Sequence, residues 1–246
     1  MRVAVLSDIH ANRPALEAVL ESIGEIEFDE LWCLGDLVGY GAEPDLCTEI
    51  VRERCDFSLS GNHDLAVLGE IDVSTFSETA AAAVKWTQGV ATEETLAYLR
   101  GLSPQGRRAD LGLFHASPRD SVWEYVLSLD QAEAGLDAME ERVGLIGHSH
   151  VALFFTRPAA KRPTYAQGAQ AGDGARIEIS SGRWLLNPGS VGQPRDGDRR
   201  AAWLELDTET WSVHYHRVPY DIDAAARAIL DAGLPSALAE RLRIGR

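Results

Sequence analysis

The first half of the sequence alternates short apolar runs with longer amphipathic segments, and this alternation constrains the fold more than any other feature. The runs RVAVLS and ELWCLG are predicted strands, because each is short and largely apolar. Between them, NRPALEAVLESIG has the features of a helix, with Asn12 as N-cap, Pro14 in the first turn and Gly24 at the end. Alternation of this kind predicts a β-sheet that is covered by helices.

The alternation continues to about residue 150 and then changes. Further predicted helices are EPDLCTEIVRERC, the region Ser77 to Arg100 and DQAEAGLDAMEERV, and further predicted strands are DFSLSGN, DLGLFHAS and GLIGHSH. From Leu153 the chain consists of short strands separated by Gly, Pro and Asp, which we expect to be antiparallel and to form a second sheet packed on the first. Residues 221–243 are predicted as one or two closing helices. We therefore predict one α/β (α+β) domain spanning residues 1–246.

Composition and charge exclude several classes of partner. Apolar residues make up 45% of the chain, but no apolar run approaches the ~18 residues of a transmembrane helix, so we expect no membrane partner. The net charge of −15 argues against binding to duplex nucleic acid, which depends on basic patches. A small phosphorylated substrate would need local positive charge, such as metal ions, to offset this background.

The cysteines and the N-terminus predict a cytoplasmic protein. Cys33, Cys47 and Cys55 show no CxxC spacing, and a sparse odd number of cysteines is typical of a reducing compartment. We interpret them as small buried apolar residues rather than as ligands. The apolar stretch at the N-terminus is short and meets an aspartate at once, which is typical of a strand and not of a signal peptide.

Five predicted strands end in residues that bind metals or transfer protons. These residues are Asp8 and His10, Asp36, the group Asn62, His63 and Asp64, then His115, and finally His148 and His150. In an open α/β sheet, ligands bind beyond the carboxyl ends of the strands, so we expect these groups to converge on one place. Glycines at positions 35, 61 and 147 stand where the backbone must turn sharply or approach a ligand.

The spacing and number of these residues indicate two metal ions. Asp8 and His10 are two residues apart, as are His148 and His150, and an extended chain would place both members of a pair on one face to grip an ion. Seven candidate ligands, with His63 and Asp64 left aside, exceed the four of one tetrahedral site and suit two ions ~3.5–4 Å apart that share a carboxylate. Mixed oxygen and nitrogen ligands suit Mn, Fe, Zn, Co or Ni.

Each motif by itself has a simpler interpretation. Asp8 could cap the following helix, Gly35–Asp36 could be an ordinary turn, and His115 could be a core histidine. The combination favours a site, because five of the seven histidines fall at strand ends beside a glycine or a carboxylate. His214 and His216 share the two-residue spacing but lie inside a predicted strand with no carboxylate close by in sequence. We interpret them as the polar face of that strand.

The ordered motifs DIH, GD, GNHD, H and GHSH resemble the calcineurin-like metallophosphoesterase superfamily, whose pattern is D-x-H, G-D, G-N-H-D/E, H and G-H-x-H. All five blocks are intact between Asp8 and His150. The loop NPGSVGQPRDG, Asn187 to Gly197, further resembles the small prokaryotic phosphodiesterase-type branch. The resemblance implies a four-layer αββα metallophosphoesterase sandwich, with two packed mixed β-sheets flanked by helices.

The resemblance also implies roles for the strand-end residues. Asp8, His10 and His150 would hold one divalent metal ion, Asn62, His115 and His148 would hold the other, and Asp36 would bridge them. His63 would face the substrate phosphate, and Asp64 would orient it. Manganese is the implied metal, with Fe, Ni, Zn, Co or Mg as alternatives.

The implied activity is metal-dependent phosphoester hydrolysis, first of all as a phosphodiesterase, by attack of a metal-bridging hydroxide in a dinuclear site. His63 would stabilise the transition state or protonate the leaving group. A phosphomonoesterase or protein phosphatase and a dinucleoside polyphosphate hydrolase are alternatives. A non-catalytic metal-binding scaffold is a further alternative, which the intact motif set disfavours.

Candidate substrate contacts lie outside the motifs. Arg13 and Arg195 could each pair with a phosphate of a small phosphorylated substrate, or be ordinary surface arginines. The NPGS sequence could present backbone N–H groups to a phosphate or form a tight turn. Substrate choice is expected in the segments Leu65–Leu102 and Ser117–Asp130. The oligomeric state stays open, with a homo-oligomer as one alternative.

Overall fold

The computed structural model describes residues 1–162 and 164–246, and these residues form helices and strands in the alternation that the sequence predicts. The helices α1 to α8 are Arg13–Gly24, Pro44–Arg54, Asn62–Val67, Glu78–Val90, Glu93–Arg100, Leu129–Ala138, Ile222–Asp231 and Ser236–Ile244. The strands β1 to β12 are Arg2–Leu6, Glu30–Cys33, Phe57–Ser58, Gln105–Arg108, Leu111–Phe114, Val143–Leu145, Ala152–Arg157, Gln167–Gln170, Arg176–Glu178, Arg183–Pro188, Ala201–Asp207 and Ser212–Val218. A 3₁₀ turn covers Val73–Thr75.

The strands form two mixed sheets of six strands each. The first sheet has the order β3-β2-β1-β11-β12-β9, and the second has the order β4-β5-β6-β10-β7-β8. Pairing is parallel among β1, β2 and β3 and among β5, β6 and β10, and the other neighbours are antiparallel. The carboxyl ends of each parallel set therefore lie together at one edge of its sheet.

The two sheets pack on each other through an apolar layer. Alternate residues of β1 and β11, such as Val3, Val5 and Leu204, are fully buried in it, together with Trp32 of β2 and Leu113 of β5. Full burial of each aliphatic side chain of this kind stabilises the fold by roughly 1.5–3 kcal/mol. This layer fixes the two sheet edges relative to each other.

Helices cover the outer faces. Leu16 of α1 packs with Trp203 on the outside of the first sheet, and Leu136 of α6 packs with Leu185 on the outside of the second. Helices α7 and α8 pack with α4 through small apolar residues, including Ala83. The result is the four-layer αββα sandwich that the resemblance implies.

The strands after Leu153 do not form a sheet of their own, so that prediction is wrong. Strands β9, β11 and β12 complete the first sheet, and β7, β8 and β10 complete the second. Antiparallel pairing of β11 with β1 places Asp207 opposite Arg2, which are far apart in sequence. Strands β4 and β8 were not predicted, because QGRR and QGAQ have no apolar alternation to indicate a strand.

Among the described residues, the helices are all too short or too polar to cross a lipid bilayer. The three cysteines are unpaired; Cys33 and Cys47 are buried, as predicted, and Cys55 is half-buried.

Candidate metal centre and active site

The predicted ligands converge where the carboxyl ends of the parallel strands meet. One group, with ligand atoms within 4.8 Å of one another, is Asp8, His10, Asp36 and His150, and a second is Asp36, His115 and His148. Asn62 joins the second group, since its Oδ1 lies 3.2 Å from Nε2 of His115. All of these side chains are buried.

Asp36 belongs to both groups and lies between them. Its Oδ2 atom is 3.4 Å from Nε2 of His10 and 3.7 Å from Nε2 of His115. Oδ2 is buried without a hydrogen-bond partner among the described residues, whereas Oδ1 accepts the backbone N–H of His63 at 2.8 Å. A buried carboxylate oxygen without a partner is costly, so this atom fits a cation shared by the two groups.

Backbone carbonyls orient the imidazoles. The pairs are His10 Nδ1 with Val38 O at 3.1 Å, His115 Nδ1 with Leu34 O at 2.9 Å, and His150 Nδ1 with Gln193 O at 2.6 Å. An N–H donated to each carbonyl leaves the Nε2 lone pair free for a metal ion. His148 is reversed: its Nε2 lies 3.2 Å from the carbonyl of Trp123, which leaves Nδ1 as the metal-binding nitrogen.

Burial determines the charge of this centre. It raises the pKa of Asp8 to about 7, against the opposing effect of His115. It also raises the pKa of Asp36, which neighbouring Asp64 raises further. The pKa values of the histidine ligands His10, His148 and His150 are lowered, first by burial, so their rings are neutral near pH 7. Carboxylates that ionise with difficulty and neutral imidazoles both gain from a divalent cation, so the donor set fits two such ions.

Five of the seven ligands have left-handed backbone conformations. The φ angles are 54° at Asp8, 50° at His10, 54° at Asp36, 62° at His148 and 58° at His150. For residues other than glycine this conformation costs about 1–2 kcal/mol each, and such strain is concentrated at functional sites. Holding these side chains in place therefore lowers the stability of the fold.

The left-handed turns correct one prediction. Asp8, His10, His148 and His150 lie in turns after β1 and β6, not in extended chain. Asp8 and His10 do share a group, but His148 and His150 belong to different groups. His148 and His150 thus lie one in each group, which agrees with the division that the resemblance implies and not with a pair that grips one ion from one side.

Close contact between the loops explains the glycines of the motifs. Gly35 has φ +96°, and a Cβ there would lie 2.7 Å from the backbone nitrogen of Gly61. A Cβ on Gly61 would overlap Oδ1 of Asp36. The absence of side chains lets the loop with Asp36 touch the loop with Asn62, as predicted for close approach.

Asp64 has a different contact from the one expected. Its carboxylate accepts the backbone N–H groups of Gly61 at 2.8 Å, Val38 at 3.0 Å and Leu37 at 3.2 Å. It makes no hydrogen bond to the ring of His63 among the described residues, and Nδ1 of His63 is buried without a partner. Asp64 therefore caps α3 and ties the two ligand loops together, and it does not orient His63 directly.

His63 lies beside the metal ligands without joining either group. Its ring packs between Tyr40 and Phe76, with centroid distances of 4.3 Å and 5.0 Å. It lines a cavity of about 250 Å³ together with Asn62, His148 and His150. Burial, and then the nearby Arg195 guanidinium, lower the pKa of His63, so its ring is neutral near pH 7.

Aromatic rings and arginines form the rest of the cavity wall. Phe76 and Trp123 pack edge to face at 5.3 Å, and both come from the segments in which substrate choice was expected. Tyr125 stacks on the ring of His148. Tyr40 and Arg241 also line the cavity but were not predicted from the sequence. The glycines on either side of Tyr40 are a signal that could have found it, whereas nothing in the sequence indicates Arg241.

Comparison with known proteins agrees with this geometry. Residues 1–209 match the calcineurin-like phosphoesterase superfamily domain. The chain belongs to this superfamily. A metallophosphoesterase from Sphaerobacter thermophilus has 38% sequence identity and a TM-score of 0.89, over 100% of this chain and 99% of that chain. An uncharacterised protein from Methanocaldococcus jannaschii is 35% identical over 254 residues, 99% of this chain and 98% of that protein. A hypothetical protein from Pyrococcus horikoshii shares the fold, with 21% identity and a TM-score of 0.79 over 100% of this chain and 98% of that one.

Of the two candidate arginines, Arg195 lines the cavity and Arg13 does not. Its guanidinium donates to Oε1 of Gln193 at 2.9 Å and lies over the ring of Tyr40, 5.6 Å from the centroid. Arg13 instead pairs with Glu43 at 2.7 Å and with Glu17 at 3.2 Å, and it does not line the cavity. The structure does not bring Arg13 to the cavity, because it pairs with these two glutamates, and its role as a substrate contact stays a prediction.

The NPGS segment supports the loops that carry the candidate metal ligands. The side chain of Asn187 donates to the carbonyl of Gly147 at 2.7 Å, and the hydroxyl of Ser190 donates to the carbonyl of Asp8 at 2.8 Å. The segment is buried, so its contacts favour the turn interpretation over a phosphate-binding nest. Asn12 caps α1, as predicted, while the Asp8 carboxylate accepts the backbone N–H of His148 at 3.1 Å.

Proposed function

We propose that this chain is a metal-dependent phosphodiesterase with a dinuclear centre. The observation that carries the proposal is the buried, unpartnered Oδ2 of Asp36 between the two groups of candidate ligands, beside a cavity that is open to substrate. Divalent ions bound by these two groups would supply Lewis acidity, which activates water and neutralises charge on the phosphoryl group. Manganese is our first choice of metal, since the ligands mix carboxylate, amide and imidazole donors.

His63 is the residue we propose for proton transfer. It lines the cavity but is not one of the grouped ligands, so its ring is available to the substrate. As a neutral imidazole it can donate an N–H to an oxygen of the reacting phosphate. An anionic phosphate close to the ring raises its pKa, which favours a proton on the ring that can pass to the leaving alkoxide.

The cavity wall supports a diester as substrate. A diester carries a second organic substituent, which the aromatic wall of Phe76, Trp123 and Tyr125 can contact through flat apolar faces. Arg195 adds local positive charge to a chain with a net charge of −15. A diester is a monoanion, so it needs less positive charge around it than the dianion of a monoester. A cavity with one aromatic wall therefore suits a diester better.

A direct assay tests the proposal. After chelation and dialysis, the protein is assayed with bis(p-nitrophenyl) phosphate and with p-nitrophenyl phosphate, each with Mn, Mg, Ni or Zn added. We expect little activity without metal, strongest recovery with Mn, and a higher kcat/KM for the diester. A higher kcat/KM for the monoester would support a phosphomonoesterase instead. Two bound ions without hydrolysis of any ester would favour a non-catalytic scaffold.

The two arginines favour a dinucleoside polyphosphate hydrolase as the second candidate. Arg195 and Arg241 both line the cavity, and Arg241 has no ion-pair partner among the described residues. Two guanidinium groups can bind phosphates beyond the one that reacts. A kcat/KM for diadenosine tetraphosphate well above that for the simple diester would favour this candidate.

We also propose that the protein works in the reducing cytoplasm. The unpaired Cys33 and Cys47 lie inside the apolar core around α1 and α2, where they serve as packing residues. Fractionation of the native cells, with detection by antibody, tests this proposal directly.

A further inference from the structure

A second cluster of potential metal ligands lies away from the catalytic cavity. Glu205, His214 and His216 offer one ligand atom each, and these atoms lie within 4.8 Å of one another. Register explains the grouping: Glu205 of β11 pairs directly with His214 of β12, and Trp203 pairs with His216. The sequence places no carboxylate near the two histidines, but the pairing of the strands does.

The alternation of β12 turns these histidines outward. Val213 and Tyr215 are buried in the layer between the sheets, so His214 and His216 point to the outer face of the first sheet. Glu205 lies between Leu204 and Leu206, which are both buried in the layer between the sheets, so its side chain also points to the outer face. The interpretation of the two histidines as one polar face of a late strand is therefore correct, but it is incomplete.

The distances match a metal-binding triad. Oε2 of Glu205 lies 3.6 Å from Nδ1 of His214 and 3.4 Å from Nε2 of His216. Bond lengths of about 2.0–2.1 Å in a tetrahedral zinc site place neighbouring ligand atoms roughly 3.3 Å apart. Three protein ligands of this kind leave a fourth position for water.

Neighbouring residues hold two of the three ligands in place. The His216 ring stacks on the indole of Trp203 at 4.0 Å, with planes inclined by 5°. Nε2 of His216 is buried without a hydrogen-bond partner among the described residues. Arg2 binds the other carboxylate oxygen of Glu205, Oε1, at 2.6 Å, which leaves Oε2 directed at the imidazoles. Contacts of this kind orient ligating side chains in known metal sites.

We propose that Glu205, His214 and His216 form a third metal site, separate from the catalytic centre, for a zinc-like divalent ion. Two imidazoles and one carboxylate select Zn, Co, Ni or Cu over Mg or Ca. The Arg2 guanidinium offsets much of the carboxylate charge, so the imidazoles provide most of the attraction. A bound ion would join β11 to β12 and thus stabilise this part of the first sheet.

Metal stoichiometry tests the proposal. Metal-free protein is dialysed against a low micromolar concentration of free Zn²⁺ and analysed by mass spectrometry for zinc per chain. We expect three ions for the wild type and two for the double variant His214→Ala/His216→Ala. The variant Ser212→Ala is the matched control, because Ser212 lies on the same strand and the same face, and it should keep three ions. Equal zinc content in the double variant and the wild type would overturn the proposal.

A second experiment, in a variant with an altered catalytic centre, separates this site from the catalytic one. In Asp36→Asn protein, whose catalytic centre binds fewer ions, the visible d–d absorption of bound Co²⁺ should fall by the contribution of one ion per chain when His214→Gln is added. His214→Gln is the milder change, since His214 does not stack on Trp203 and the variant should fold even if the double variant does not. Cobalt absorption and cobalt content that are the same with and without His214→Gln would refute the site. Hydrolytic activity should be unchanged by His214→Gln, so a failed catalytic proposal and a failed third site give different results.

Discussion

The phenol ring of Tyr125 stacks on the imidazole of His148, with centroids 4.1 Å apart and planes inclined by 22°. The tyrosine is 41% exposed and lines the cavity, so one face of its ring supports a metal ligand while its edge stays accessible to substrate. This contact joins the segment after β5 to the metal centre. We therefore expect the binding of substrate and the orientation of the His148 imidazole to be coupled through the ring of Tyr125.

Replacement of Tyr125 tests that coupling. Tyr125→Ala should lower kcat/KM for bis(p-nitrophenyl) phosphate roughly 3- to 10-fold, because an aromatic contact contributes about 0.5–1.5 kcal/mol. Tyr125→Phe keeps the ring and should stay close to the wild type. Steady-state kinetics with parallel metal analysis separates lost substrate contact from lost metal. Equal losses in both variants would assign the effect to the hydroxyl group instead.

Asp36→Asn should damage both metal groups at once. Asparagine keeps the size of the side chain and can still accept the N–H of His63, but it removes the charge that lies between His10 and His115. We expect fewer than two bound ions per chain and at least roughly a 100-fold loss of kcat. Metal analysis and kinetics check both effects. Asp72→Asn, at an exposed 3₁₀ turn, is the control and should behave as the wild type. Full metal content in Asp36→Asn would contradict the bridging role.

His63→Gln should separate metal binding from catalysis. Because His63 lies outside both ligand groups, the variant should keep its metal content. Its kcat should fall about 10²- to 10⁴-fold for an alkyl leaving group, which needs a proton, and much less for p-nitrophenolate, which does not. Kinetics over a series of leaving groups makes the comparison. The same loss for every leaving group would assign His63 a role in binding rather than in proton transfer.

Metal binding should release protons in a pH-dependent way. Asp8, with a pKa of about 7 in the metal-free fold, is mainly protonated at pH 6 and mainly ionised at pH 8, whereas a metal ion binds only its carboxylate form. His10, His148 and His150 have lowered pKa values and are already neutral, so they add little. Calorimetric titration with Mn²⁺ in buffers of different ionisation enthalpy should show more released protons at pH 6 than at pH 8. Equal release at both pH values would show that Asp8 is ionised before the metal binds.

Asp64→Asn should destabilise the fold more than a surface change would. An amide has one acceptor oxygen and cannot satisfy the three backbone N–H groups that now bind the Asp64 carboxylate. We expect the free energy of unfolding to fall by about 1–3 kcal/mol, as for buried donors left without a partner. Urea denaturation measures the change, again with Asp72→Asn for comparison. Unchanged stability together with lost activity would restore a direct role for Asp64 beside His63.

The sequence by itself determined the strand–helix alternation and the ligands of the candidate metal centre. Both are encoded locally: apolar periodicity identifies a strand or helix, and a polar residue just past a strand marks its carboxyl end. For this reason Asp8, Asp36 and His115 could be predicted to converge without any knowledge of which strands are neighbours. The resemblance then divided the ligands between two ions, a division with which the positions of His148 and His150 agree.

Only the tertiary structure decided which distant residues share a site. Strand pairing distributed the late strands over both sheets and brought Glu205 beside His214 and His216. Helix packing carried Arg241 to the cavity, while local ion pairs held Arg13 away from it. Contacts of this kind depend on which strands pair and on how segments far apart in the chain pack, and local periodicity and spacing do not specify either.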